Sequence, residues 1–300
     1  MAQHAHDLTH AATVALIGAA SCLGARDQRC DFGPQQVQRA LEQRLADSGI
    51  SAQWRGTLRP RSETGVSSDA YAQVAELSTR LARAVADEIS QHQRFAVIGG
   101  DHSCAIGTWS GAAVAQRKLG PIGLIWIDAH MDSHTPQSSR SGAIHGMPLA
   151  CLLGQGEPCL TGVGDASTKL QASYVAVLGV RSYEPEEQRL LSSLGVTVFD
   201  MQAIRHDGLD LVMRAALSIA RCAPGGYGIS IDLDAIDPVD APGVGSPEPG
   251  GIPAQALLDC LALARHDPSL LGVEIAELNP FRDRADKTTQ LTLDLLSAML

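Results

Sequence analysis

The sequence predicts an α/β protein: three-layer α/β/α with a central, mostly parallel sheet, in a single domain over residues 1–300. Short apolar runs recur along the chain, each followed by Gly, Asp or another loop former, and helix-like segments separate them. Runs that are apolar on both faces suit strands covered on both sides. Their alternation with helices is the pattern of a parallel α/β sheet.

The elements follow in order. Ala11–Ala25 is uncharged and mostly apolar, but the leader before it holds Asp7, His4, His6 and His10 and no Lys or Arg. A secretory signal needs a positive flank, and the stretch is too short to span a bilayer. It reads as a buried first strand, Thr13–Gly18, behind a frayed polar leader, in a cytoplasmic protein. Further strands are expected at Phe95–Gly99, Ile122–Ile127, Tyr174–Gly179, Val196–Phe199, Tyr227–Ile231 and Leu271–Ile275. Helices are expected at Pro34–Ala46, Asp69–Gln91, Glu186–Leu194, Leu209–Cys222 and Pro253–Arg265. Gly154–Ser173 reads as a surface excursion and Asp237–Gly251 as a loop inside the domain. There is no internal repeat and no low-complexity linker.

Hydrophobic residues make up 45% and charged residues 19%, the balance of a globular protein with a large core. The net charge is -10, from 23 Lys+Arg against 33 Asp+Glu. No basic run follows a phosphate backbone, which excludes nucleic acid as the expected partner. The seven cysteines, Cys22, Cys30, Cys104, Cys151, Cys159, Cys222 and Cys260, form no C-x-x-C pair. They read as small buried residues in a reducing compartment rather than a disulfide framework.

In parallel sheets, ligands bind outside the carboxyl ends of the strands. Those ends are unusually acidic and His-rich here. Gly99-Gly100-Asp101-His102-Ser103 follows one strand and Asp128-Ala129-His130-Met131-Asp132 a second. Asp232-Leu233-Asp234 follows a third and Glu277-Leu278-Asn279-Pro280 a fourth. Residues at i, i+2 and i+4 of a strand end point the same way, so Asp128, His130 and Asp132 converge, as do Asp232 and Asp234. A D-x-D pair alone also caps helices, and G-G-D-H-S alone also makes a turn with an N-cap at Ser103. Together, after apolar strands, the motifs gather carboxylates and imidazoles that stay charged side by side only if cations neutralise them. Six O/N ligands rich in carboxylate suit two divalent ions, Mn2+ ahead of Zn2+, with Co2+ and Ni2+ also fitting. Two such ions about 3.5–4 Å apart share and activate one water.

Over nearly its whole length the sequence resembles the arginase/agmatinase (ureohydrolase) family, closest to arginase. G-G-D-H-S, D-A-H-M-D, S-I-D-L-D-A-I-D-P and E-L-N-P occur in the family's order and approximate spacing, and Asp31-Phe32-Gly33-Pro34 resembles its N-terminal segment. The resemblance implies one manganese held by His102, Asp128, Asp132 and Asp232, and a second by Asp128, His130, Asp232 and Asp234. It implies hydrolysis of L-arginine to L-ornithine and urea by a metal-bridging hydroxide that attacks the guanidinium carbon. Asp132 passes the proton to the departing amine, Glu277 grips the guanidinium group, and His145 is the proton shuttle. A neutral-range pKa suits that last role.

For the far end of the substrate the resemblance implies His134, Ser139, Ser141 and Glu184, with Arg181 and Glu187 shaping the second substrate loop. The family usually has asparagines where this chain has His134 and Ala143, so the grip on an α-carboxylate is altered. A guanidino compound other than arginine (4-guanidinobutyrate, 3-guanidinopropionate or agmatine) is therefore the alternative substrate. A metal-free regulatory relative is disfavoured because every ligand position is filled. The implied partner is a small guanidino substrate, with no membrane, in a trimer or hexamer of identical chains. His92, His206 and His266 carry no motif.

Overall fold

The computed structural model describes residues 14–26, 29–48, 52–61 and 69–299. Thr13, the expected start of the first strand, and the leader residues His4, His6 and His10 lie outside the described residues. The strands are β1 (Val14–Ala19), β2 (Ala52–Leu58), β3 (Phe95–Gly99), β4 (Ile122–Ile127), β5 (Leu170–Val180), β6 (Thr197–Asp200), β7 (Tyr227–Asp232) and β8 (Leu270–Ala276). They form one sheet in the order β2-β1-β3-β8-β7-β4-β5-β6, and every pairing is parallel. The main helices are α1 (Gly33–Ser48), α2 (Ala70–Ser90), α3 (Cys104–Gln116), α4 (Pro148–Leu152), α5 (Pro158–Thr161), α6 (Pro185–Leu194), α7 (Met201–Asp207), α8 (Leu209–Arg221), α9 (Ala254–Leu261) and α10 (Lys287–Met299).

Alternating side chains of each strand serve opposite layers. On β4, Leu124 and Trp126 pack with Leu81 of α2, Trp109 of α3 and Leu149 of α4. Ile125 and Ile127 pack the other way, with Val37 of α1, Leu217 of α8, Leu257 of α9 and Leu295 of α10. Each such side chain contributes about 1.5–3 kcal/mol on burial, so both faces of the sheet are held. Gly228 of β7 lies under Trp109: a Cβ there would stand 1.9 Å from the indole ring. That glycine lets α3 settle on the strands that carry the site.

The expected strands and helices form, with shifts at their ends. The helix expected at Pro253–Arg265 is α9 followed by a 3-10 turn, Ala262–Ala264. Gly154–Ser173 is largely irregular yet folds on itself. Leu160 and Val163 are buried, and Lys169 Nζ donates to the carbonyls of Thr161, Asp165 and Ser167.

Candidate metal centre

The four strands β3, β8, β7 and β4 are neighbours at the middle of the sheet, and their carboxyl ends meet at one place. After β3 the chain turns through Gly100, where a Cβ would come 2.0 Å from the Ser21 carbonyl oxygen. Asp101 braces the turn: Oδ2 accepts from the Gly24 amide at 2.8 Å, and Oδ1 accepts from the Ser103 amide and hydroxyl. His102 is thereby held inward. Ser103 does precede α3, but its hydroxyl serves Asp101 and not the helix end. Asp132 and Glu277 take positive φ, 44° and 70°, a strained conformation that persists only where surroundings impose it.

The ligating atoms form two groups that share Asp128. In the first, His102 Nδ1 lies 3.1 Å from Asp132 Oδ2 and 3.3 Å from both Asp128 Oδ2 and Asp232 Oδ2. In the second, His130 Nδ1 lies 3.2 Å from Asp234 Oδ2 and 3.4 Å from Asp128 Oδ1. Asp128 thus turns one oxygen to each group. Asp232 turns Oδ2 to the first group, and its Oδ1 accepts from the Asp234 amide at 2.8 Å.

The residues suit cations on their own chemistry. Ser230, inside β7, donates its hydroxyl proton to Glu274 Oε1 at 2.8 Å. It therefore accepts from His102 Nε2, 3.0 Å away. That fixes the His102 tautomer and leaves the Nδ1 lone pair facing three carboxylates. His102 Nδ1 is buried and makes no hydrogen bond. Its ring stacks on Trp126 at 4.2 Å, and the indole N–H donates to Asp128 Oδ2 at 2.9 Å.

The charges tell the same story. Burial pushes Asp132 up to about 7, with the Asp128 charge adding to it. Burial, then the neighbouring Asp234 and Asp128, drives Asp232 well above the carboxylate range. Burial raises Asp234 too, against the opposing pull of His130. For Asp128, burial is outweighed by His102 and His130, which hold it far below its ordinary value. Burial also works against protonation of both imidazoles, yet the carboxylates around them keep their protons on. Bare of cations, the cluster would hold protons in their place.

Ser230, Glu274 and Trp126 brace the cluster, a role the sequence reading did not give them. Their signal was there: Ser230 and Glu274 are polar residues in the middle of strands that otherwise read as apolar.

Beside the cluster lies a cleft of 120 Å³, lined by His130, Asp132, His134, His145, Glu184 and Asp234 among others. Glu277 is buried next to it. Its Oε1 accepts from the His102 amide at 3.0 Å and faces His145 Nδ1, also at 3.0 Å. Its Oε2 accepts from the Cys30 thiol at 3.4 Å. Burial is outweighed by His145, so Glu277 stays ionised with a lowered pKa. His145 differs from its expected neutral range: burial lowers it, but the Glu277 contact carries it up to about 10.

His134 Nε2 lies 2.8 Å from Glu184 Oε2, and Nδ1 lies 3.0 Å from Ser138 Oγ. Glu187 accepts from the Ser133 and Glu184 amides, and Arg181 donates to the carbonyls of Asp234, Ala235 and Glu248, so both shape the loops. Ser139, half-buried, and Ser141, exposed, lie outside the cleft lining; their hydroxyls accept from the Gly142 and Ala143 amides of their own loop. A larger cavity, 610 Å³, opens by Val14 and Leu270 at the opposite end of the strands and carries none of these residues.

Comparison with known proteins converges on one family. The model described as "Arginase family" matches residues 12–300. The arginase of Brevibacillus brevis is 35% identical over 291 residues, covering 95% of this chain and 97% of that protein. The arginase of Bacillus caldovelox is 38% identical over 227 residues, 75% of each. The solved structure of the B. caldovelox arginase superposes with a TM-score of 0.88 at 32% identity, covering 96% of this chain and 98% of that one.

Proposed function

The chain belongs to the arginase family, whose members are hydrolases acting on guanidino or amidino groups, and we propose that it converts L-arginine to L-ornithine and urea. The proposal includes a dinuclear manganese centre in one catalytic domain, residues 1–300. One observation carries it: two adjoining donor sets share Asp128, one oxygen to each. His102, Asp128, Asp132 and Asp232 would hold one ion, and His130, Asp128, Asp232 and Asp234 the other. Co2+ or Ni2+ suits the same donors. When bound, the ions neutralise the buried carboxylates and make a water acidic enough to ionise near neutral pH.

The chain's own residues do the rest. Glu277, ionised and already accepting three donors, is shaped for a planar cation. A guanidinium arriving at Oε1 displaces the His145 imidazolium. Freed of Glu277, His145 returns toward its ordinary pKa and exchanges protons with solvent, to which a quarter of its side chain is exposed. Asp132, beside His102 and lining the cleft, would pass the proton to the departing amine.

The far end of the cleft supports a second reading. Glu184, which would meet the substrate's α-ammonium, already pairs with His134. A guanidino acid without that amine, 4-guanidinobutyrate or 3-guanidinopropionate, leaves the pair undisturbed. Ser139 and Ser141 would offer their hydroxyl protons to the carboxylate. Faster hydrolysis of 4-guanidinobutyrate than of L-arginine would establish this reading.

Titrating the metal-stripped protein with Mn2+ tests the centre directly. The expected result is two equivalents per chain and none for Asp128→Ala; one equivalent, or unaltered uptake by the variant, contradicts it. A cytoplasmic trimer or hexamer completes the proposal, supported by the family likeness. Among the described residues no helix is long and apolar enough to cross a membrane. Light scattering should give three or six times the 31.5 kDa chain mass; a monomer would overturn the assembly.

A further inference from the structure

Each imidazole of the centre has a carboxylate behind it. For His102 it is Glu274, reached through Ser230. For His130 it is Glu248. Asp128 and Asp234 face His130 Nδ1 at 3.4 and 3.2 Å, so the ring would meet an ion through that nitrogen and carry its proton on Nε2. Glu248 Oε1 faces Nε2 at 3.8 Å. That is longer than a hydrogen bond, but the half-exposed Glu248 side chain needs only a small rotation to close it. The loop around Glu248 is pinned. Pro247 and Pro249 flank it, each with a fixed φ. Asp237 accepts from the Gly250 and Gly251 amides, and Arg181 donates to the Glu248 carbonyl at 2.7 Å. The carboxylate is steadied as well. Ser182 donates its hydroxyl proton to Oε1 at 3.2 Å, and the Ser182 amide donates to the carbonyl of Ala129, the residue before His130.

We propose that Glu248 is the positioning residue of His130: it accepts from Nε2–H and so aims the Nδ1 lone pair at the second ion. Glu248 lies outside the cleft lining and acts through the imidazole rather than on substrate. A carboxylate behind a ligating histidine fixes the tautomer, holds the ring plane and makes the other nitrogen a better donor. Ser182 joins in by keeping Oε1 on the His130 side. The inference deepens the dinuclear reading of the centre and rests on it.

The test titrates the metal-stripped parent, Glu248→Ala and Glu248→Gln with Mn2+ by calorimetry, with His130→Ala marking which equivalent belongs to His130. In Glu248→Ala that equivalent should bind about 10–100-fold more weakly, while the other equivalent and the unfolding temperature of the metal-free protein stay as in the parent. Glu248→Gln, whose carboxamide oxygen still accepts from Nε2–H, should recover most of the loss. Parental affinity at both sites in Glu248→Ala would overturn the proposal. So would an equal weakening of both equivalents, the mark of a loop that merely supports the fold, or a Glu248→Gln as weak as Glu248→Ala. A parent that takes up fewer than two equivalents would sink the dinuclear reading itself, and the role of Glu248 with it, before any variant is compared.

Discussion

Asp128 and His102 are each held by residues outside the cleft lining. Trp126 anchors one oxygen of Asp128, and Ser230 with Glu274 sets the His102 tautomer. Ser230→Ala should therefore weaken metal affinity by about 10–100-fold with the fold intact, measured by metal competition; unchanged affinity would show that the tautomer is set elsewhere. His145 offers a different readout. Its pKa, raised to about 10 by Glu277 against the lowering effect of burial, means that the pairing stabilises the folded state. That contribution is whole below the ordinary imidazole value, near 6.5, and is lost as pH rises through about 10. His145→Ala should slow turnover with metal content intact, and its stability deficit should vanish above that pH. Chemical denaturation across pH checks this; a deficit constant with pH would contradict it. The ligand residues were legible because each follows an apolar run. The bracing role of Ser230 and Glu274 was harder to read, since a single polar residue within an apolar strand is a weak signal of what it touches.

Among the elements, those with a clear period declared themselves. Five-to-seven-residue apolar runs marked the central strands, and the stripe of Leu77, Leu81 and Val85 marked α2. Six elements escaped, β2, α3, α4, α5, α7 and α10, and three of them show why. The edge strand β2, A-Q-W-R-G-T-L, is half polar because only part of it is covered. Helix α3 is buried nearly all round and carries Gly107 and Gly111, so it shows no amphipathic face. Helix α10 opens on Lys287-Thr288-Thr289, and its two threonines are weak helix formers that the fold buries. The close contact of α3 with β7 makes a prediction at this scale. Gly228→Ala drives a methyl group into Trp109 and should cost about 1–3 kcal/mol or more. Thermal or denaturant unfolding would show it; full parental stability would mean the indole has room to move.

For the molecule as a whole, a parallel sheet gathers residues from Asp101 to Glu277 at one edge, far apart in sequence and adjacent in space. The resulting charge is excessive for a protein interior, with Asp128, Asp132, Asp232 and Asp234 all buried. Cations that bind the folded chain and not the unfolded one stabilise it by mass action, by about 2.7 kcal/mol at one hundred times Kd. Chelation should therefore lower the unfolding temperature and Mn2+ should restore it, with Asp128→Ala indifferent to both; a parent protein indifferent to chelation would sever the link between metal and fold.

The central claim is guanidino hydrolysis, and urea release tests it most directly. Mn2+-loaded protein would be assayed with L-arginine, 4-guanidinobutyrate, 3-guanidinopropionate and agmatine under identical conditions. The expected result is metal-dependent urea release with the highest kcat/KM for L-arginine. No urea from any of the four would contradict the account.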